Sequence, residues 1–547
     1  MEKRMSNGIY AGFDLGTTFF KVGLYTENGV CLGMGRHPFV KDEDEEGHCT
    51  VPVVRFLETV SSTFRDALTQ AGVTPDAITG VSYCSQANTF LLLDSHDKPL
   101  TPLIVWPDLR AAPLSEQIIA LTTTDRFREQ SGQGIVPAES MLAKLDWLRR
   151  CEPELWGRTA RIVTISDYLA LLLTDRFIGD SGTASLTGLW DMQQNRWNQT
   201  MLDFLELDAR QLPELHRPGA LTIGIGTSGQ AWLGIPEGTP FTIGALDHHA
   251  AALGGGIGHW APVSVSFGTS LVCFRFEDDY RPAQGSCLGP ATDPGRFYRI
   301  AFCAPGASAM DWYQRDYAPE STFEELLASA EHTPPGCDGL CAVSENGAIR
   351  FERETDATEI RKGITCSHPN GANKQWEGRA SARPRHADAC LSQRNGGPRS
   401  VVADSYGGRD RARPSMIPSF HHSSEVPSQG HFVRAVMELT GRNTASLLKD
   451  LTCGEGTAAS RIIAVGGAAK SDLWMRVVEE TSGVGVSPAR PADTAARGAA
   501  MFAAVATGQQ GSLETCAIRW SKAGEPMGGS DKSDKSDRSD GSDRRQT

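Results

Sequence analysis

The stretch that most limits the folds open to this chain is residues 8–25, GIYAGFDLGTTFFKVGLY. A short apolar run, Ile9 to Phe13, closes on Asp14. Gly16, Thr17 and Thr18 then form a tight turn, and a second alternating run, Lys21 to Tyr25, follows. Such runs on both sides of a Gly-Thr-Thr turn read as a β-hairpin with a carboxylate and two hydroxyls at its tip. Backbone N–H groups and hydroxyls of that turn suit phosphate oxygens, and Asp14 suits Mg²⁺ or its water shell. An ordinary hairpin could carry the same residues, so the reading depends on what else the chain supplies.

At 547 residues the chain is too long for one core and divides into two or three domains. A formal charge of −13 argues against a nucleic-acid surface, which needs a basic face. The longest apolar helix-like run, Tyr168 to Leu173, is far too short to span a bilayer, so no membrane partner is expected. The opening MEKRMSNG has no apolar core of a signal peptide. The 13 cysteines follow no framework spacing and read as reduced thiols of a cytoplasmic protein.

Strands and helices alternate along both halves. Helices are expected over 53–71, 138–150 and 167–173, strands near 78–83, 89–93, 241–246 and 263–267, and a connector at 213–218. A second α/β region continues with a strand at 298–301 and helices over 309–317 and 322–330. A helix over 431–438 is expected to stop at Leu439 to Asn443, before a strand at 461–465, a glycine turn and further helix. The pattern implies two α/β domains with a cleft between them. Residues 362–429, rich in Arg, Ser, Pro and Gly, read as an irregular insert, and the Ser-Asp-basic tail as unstructured. Cys366, His368, His386 and Cys390 lie in the insert, but their spacing does not match common zinc sites.

Three downstream segments echo the first hairpin. Gly244 to Leu246 ends an apolar strand at Asp247, followed by His248 and an Ala-rich run. Asp247 there suits a general base taking a proton from a hydroxyl, and equally suits the N-cap of the helix that follows. The alternating run Val263 to Phe267 ends in Gly268, Thr269 and Ser270, a second glycine-hydroxyl turn able to clamp a polyphosphate opposite the first. Finally, Ile462 to Val465 runs into Gly466 and Gly467, where a planar ring could approach the backbone.

With FDLGTT, VWPDLR at 105–110, GALDHHAAALGGGIG, SFGTS, PGASAMDW at 305–312 and VGGAAKSDLW at 465–474, the chain resembles the FGGY family of carbohydrate kinases, of the actin/Hsp70-like ATPase superfamily. The resemblance spans residues 8 to about 508 apart from the insert. It implies an α/β fold of two ribonuclease-H-like domains: 8–259 for sugar and phosphate, 260–510 for nucleotide, and a disordered tail over 511–547. It implies ATP and Mg²⁺, a small sugar or polyol as acceptor, and admits a homodimer. Asp247 would be the general base, with Asp14 beside it at the metal. Gly16, Thr17, Thr18, Lys21, Gly268 and Thr269 would meet the phosphates, and Gly306, Gly467 and Ser471 would surround the adenosine. Gln86, Asn88, Trp106, Asp108, Arg110, Asp247 and His248 would contact the sugar.

Glycerol kinases carry Gln-Arg-Glu where this chain has Gln86-Ala87-Asn88, and xylulokinases keep the glutamine, so the sequence sits nearer the latter. A pentulose such as xylulose is the expected acceptor. The alternatives are another polyol such as glycerol, a catalytically silent relative with a disrupted 362–445 segment, and a non-kinase ATPase of the superfamily. Phe19 and Phe20 stand where many relatives place Ser or Thr, with no expected change in chemistry.

Overall fold

The computed structural model describes residues 8–345, 348–353, 427–452, 459–490 and 493–522. The opening hairpin forms as its alternation requires. β1 (Ile9–Leu15) and β2 (Phe19–Thr26) pair antiparallel with Asp14 opposite Lys21, and β3 (Cys31–Pro38) sets Arg36 opposite Lys21. On its other edge β1 runs parallel to β4 (Ile78–Ser85). The short β5 (Thr222–Gly224) and then β6 (Pro240–Leu246) follow in sequence, with β6 parallel to β4 and β5 at the sheet edge. The order is β3-β2-β1-β4-β6-β5.

The second sheet repeats the plan. β7 (Val263–Phe267) pairs antiparallel with β8 (Leu271–Glu277). β9 (Cys287–Pro290) lies at the edge, and β10 (Phe297–Cys303) joins it to β8. On the other side β7 runs parallel to β11 (Arg461–Val465), and β11 parallel to β12 (Gly485–Pro488). Each half therefore aligns the carboxyl ends of its parallel strands, where ligands of open α/β sheets bind. Each half has its own core. Phe13, Phe56 and Val81 belong to the first, and Phe267, Met310 and Trp474 to the second.

Two helices exchange places between the halves. α1 (Val53–Ala71) and α2 (Met141–Cys151) belong to the first half in space as in sequence. α3 (Asp247–Gly255) follows β6 but packs against β7, β8 and β11 of the second sheet. Further along run α4 (Ser308–Tyr317), α5 (Gln429–Leu451) and α6 (Asp472–Ser482). α7 (Thr494–Ala506), near the end of the described chain, lies across β1, β4 and β6 of the first sheet. α3 and α7 cross backbone to backbone. A Cβ on Gly254 would meet the Thr494 carbonyl oxygen at 2.0 Å, and one on Gly498 the Ala250 carbonyl oxygen at 1.9 Å. Buried Arg497 donates to the Gly254 carbonyl across the same crossing. A third apolar cluster, with Tyr10, Leu246, Phe274, Val465 and Phe502, joins the halves here.

Three expectations are corrected. The helix at 431 does not stop at Leu439 to Asn443, because α5 continues to Leu451. Gly441 weakens helix propensity, yet its missing side chain admits α6: a Cβ there would lie 2.7 Å from the Thr481 Cβ. Trp474 of α6 also donates through Nε1 to Thr440 Oγ1 at 2.9 Å, so tertiary packing overrides the local breaker. The connector at 213–218 contains a short strand, Glu214–His216, paired with Ile178–Asp180. The stretch from 511 opens with α8 (Leu513–Lys522), whose Cys516, Ala517 and Trp520 are buried against the third cluster. Most of the insert, with Cys366, His368, His386 and Cys390, lies outside the described residues, as does the Ser-Asp tail.

The crossing is the most sensitive place in this framework. Gly498→Ala should cost about 1–3 kcal/mol through overpacking against backbone that cannot rotate away. Denaturant unfolding should show both halves losing stability together, because the helix belongs to one and the contact to the other.

Candidate active site

Between the sheets lies a cavity of about 580 Å³ lined from both sides. β1 delivers Asp14, the turn after it Gly16, Thr17 and Thr18, and β2 delivers Lys21. The segment after β4 contributes Gln86, Ala87 and Asn88, and the start of α3 contributes Asp247 and His248. From the second sheet come Gly268, Thr269 and Ser270 after β7, and Gly466 and Gly467 after β11. The two glycine-hydroxyl turns therefore face one space, each at the end of the first strand of its sheet.

Charge at the centre is unbalanced. Asp14 is 4% exposed, and Lys21 Nζ lies 3.5 Å from its Oδ2 and 3.3 Å from Asp493 Oδ1 at the entrance to α7. Burial raises the Asp14 carboxyl above the usual range; Lys21 opposes that, and Asp247 adds to it. Burial also works against the Lys21 charge, but Asp14 and Asp493 outweigh it and the ammonium is held more firmly protonated. The Cys84 thiol sits 3.7 Å from Asp14 Oδ1, its pKa driven well above normal by burial and by Asp14. One ammonium thus serves two carboxylates while Asp247 adds a third negative charge nearby.

Asp247 is not an N-cap. Leu246 takes that position without a side-chain cap, and Asp247 is the first helical residue, its Oδ1 accepting from the His248 N–H at 2.7 Å. β6 runs into α3 without a loop, which leaves no extended residue for Asp247 to occupy. The carboxylate sits at the positive end of a helix with 21% of its side chain open to the cavity.

The segments that carry Gln86, Asn88 and Trp106 are wired to the first turn. Trp106 Nε1 donates to Thr17 Oγ1 at 2.9 Å, Gln86 Nε2 to the Gly16 carbonyl at 3.3 Å, and Thr89 Oγ1 to Gln86 Oε1 at 3.1 Å. Asn88 is held at φ 62°, its Oδ1 accepting from the Met141 N–H at 2.9 Å at the start of α2. Beneath these residues is Lys144, which the sequence reading passed over. Its ammonium donates to the Asn88, Val105 and Trp106 carbonyls, each at 3.1 Å. Burial lowers its pKa to about 7, opposed by Asp108. A lone lysine in the apolar run Met141-Leu142-Ala143-Lys144-Leu145 was the available signal.

Four expected contacts lie elsewhere. Asp108 is fully buried, accepts from the Cys49 N–H at 2.7 Å and grips Arg110 through both oxygens. Both side chains brace the loop behind Trp106, and neither lines the cavity. Gly306 packs behind the second turn, where a Cβ would lie 2.6 Å from the Gly268 carbonyl, and its N–H donates to the Thr269 carbonyl. Ser471 spends its hydroxyl capping α6 by accepting from the Trp474 N–H. The second half lines the cavity instead through residues that include Ala307, Ser308, Asp311, Phe323, Ala468 and Lys470. Burial raises the Asp311 carboxyl, with Arg315 opposing. Among the described residues no group of three or more His, Cys, Asp or Glu could hold a metal by itself, and no helix is long and apolar enough to cross a membrane.

Lys144→Met would leave buried carbonyls without donors, at about 1–3 kcal/mol for each group left unsatisfied. The melting temperature should fall. If Asn88 and Trp106 contact the acceptor, as the resemblance implies, steady-state kinetics should show the KM for the acceptor rising more than that for the nucleotide.

Models of the FGGY family of carbohydrate kinases match this chain, the N-terminal domain over residues 9–254 and the C-terminal domain over 263–507. Among curated proteins, the chain is 25% identical over 513 residues to the xylulose kinase of Bacillus subtilis, covering 92% of this chain and 90% of that one. It is 24% identical over 526 residues to an autoinducer-2 kinase of Salmonella paratyphi B, covering 94% and 89%. Among solved structures, ligand-bound xylulose kinase from Lactobacillus acidophilus superposes with a TM-score of 0.71 at 20% identity, covering 94% and 96%. That likeness establishes the shared two-domain α/β fold.

Proposed function

The chain belongs to the FGGY family of carbohydrate kinases, and within it we propose an ATP-dependent kinase that phosphorylates a hydroxyl of a small sugar or polyol, a pentulose such as xylulose. The observation that carries this reading is the meeting of Asp14 and Asp247 with two glycine-hydroxyl turns in one cavity shared by both sheets. The acceptor assignment is supported by Gln86-Ala87-Asn88, which lacks the charged pair of glycerol kinases, and by the likeness to xylulose kinases. The extension of α5 through Leu439 to Asn443 removes one reason for reading the chain as a silent relative.

Asp247 takes the proton of the acceptor hydroxyl as its oxygen attacks the terminal phosphorus. The new O–P bond forms, the bond to the bridging oxygen breaks, and ADP leaves. Thr17 and Thr18 on one side and Gly268 and Thr269 on the other hold the phosphates in line, and Gln86, Asn88, Trp106 and His248 orient the acceptor. The surplus of carboxylates fits a divalent cation: Asp14 and Asp247 would hold Mg²⁺, which when bound neutralises phosphate oxygens and keeps waters in its shell. The nucleoside lies toward Gly467.

An ADP-release assay across ketoses, alditols and glycerol tests the reading. Turnover is expected with a pentulose, and Asp247→Asn should lower kcat by about 10²–10⁴-fold while nucleotide binding persists. Turnover with glycerol in place of every ketose would reassign the acceptor. Nucleotide hydrolysis unaffected by any acceptor would refute the kinase.

A further inference from the structure

The register of the first three strands puts Asp14, Lys21 and Arg36 in one row. Asp14 is directly opposite Lys21 on β2, and Lys21 directly opposite Arg36 on β3, so all three side chains leave the same face of the sheet. Phe19, two residues before Lys21, shares that face, and the Arg36 guanidinium carbon lies 3.7 Å from the centre of its ring. All four residues line the central cavity. The row is therefore part of the site's wall.

Arg36 differs from its neighbour in what it is free to bind. Lys21 is engaged by two carboxylates, whereas Arg36 has no hydrogen bond or ion pair among the described residues, only the aromatic face beneath it. Four carboxylates line the cavity, Asp14, Asp247, Asp311 and Asp493, against three permanent cations, Lys21, Arg36 and Lys470. Lys470 follows Gly467 on the second sheet at the nucleoside end. A polyanion entering between the glycine-hydroxyl turns meets Arg36 as the uncommitted cation of the first sheet. Stacking on Phe19 fixes the guanidinium plane and leaves its N–H edge free for bidentate contact with a phosphate. Phe19, from which no chemical consequence was expected, thus acts as a platform.

We propose that Arg36, laid on Phe19, is the phosphate-binding residue that grips the terminal phosphate of the nucleotide, distinguishing the triphosphate from the diphosphate. The proposal rests on the kinase reading above. It assigns the product's weaker hold to one side chain: once the terminal phosphoryl group has moved to the acceptor, Arg36 loses its partner on the nucleotide.

Calorimetric binding of β,γ-imido-ATP and of ADP, both with Mg²⁺ and without acceptor, tests it in wild type, Arg36→Gln, Arg36→Lys and Phe19→Ser. Arg36→Gln should weaken β,γ-imido-ATP by about tenfold or more and leave ADP within about twofold, the effect of losing a charge-assisted hydrogen bond. Arg36→Lys should recover part of the loss, and Phe19→Ser should give a smaller loss in the same direction. Arg36 is exposed, so unchanged melting curves are expected for its variants. Equal weakening of both nucleotides, or no weakening of either, overturns the assignment while leaving the kinase intact. Failure of the wild-type protein to bind either nucleotide overturns the kinase reading and this assignment together.

Discussion

The rest of the structure depends on the contact between two helix backbones. α3 and α7 approach so closely that only glycine fits at Gly254 and Gly498, and each helix rests on the sheet of the other half. Two sheets linked only by chain could take many relative orientations. Two sheets that each hold a helix of the other, joined by the cluster around Leu246, Val465 and Phe502, are confined to a narrow range. The two turns can then face across a single cavity, and Asp247 and Asp493 at the starts of the crossing helices reach its centre.

The electrostatics of that centre follow from the same placement. Burial and mutual repulsion make the carboxylates costly, and one shared ammonium offsets only part of the cost. The cavity is left with more carboxylates than the one shared ammonium balances, rather than with a self-satisfied ion-pair network. On the acceptor side the logic is reversed. Lys144 and Asp108 are buried and Arg110 is half-buried against Asp108, and their bonds hold the backbone from which Asn88 and Trp106 reach the cavity. Charge at the centre is only partly balanced, whereas charge beneath Asn88 and Trp106 is spent on rigidity.

Much of this was legible because it is local. The hairpin, the helix over 53–71, the strand before Asp247 and both glycine-hydroxyl turns are written in runs of a few residues whose periodicity or turn chemistry admits few conformations. What misled were residues whose local character conflicts with a distant partner. Gly441 reads as a breaker until Thr481 is placed against it, and α8 reads as tail until Trp520 is seen under the turn between β2 and β3, donating to the Glu27 carbonyl. Asp108 and Arg110, beside Trp106 in sequence, carry the polar character of ligand contacts, yet they turn away to grip one another.

The sequence by itself determined a carboxylate at each of two strand ends and paired glycine-hydroxyl turns of a kind that suits phosphate. Those are properties of residue type and short spacing. Only the tertiary structure decided which side chains are free to act, since freedom depends on partners far away in the chain. Lys21 is committed by Asp493, more than four hundred residues distant, while Arg36 beside it lies on an aromatic face without an ion pair among the described residues.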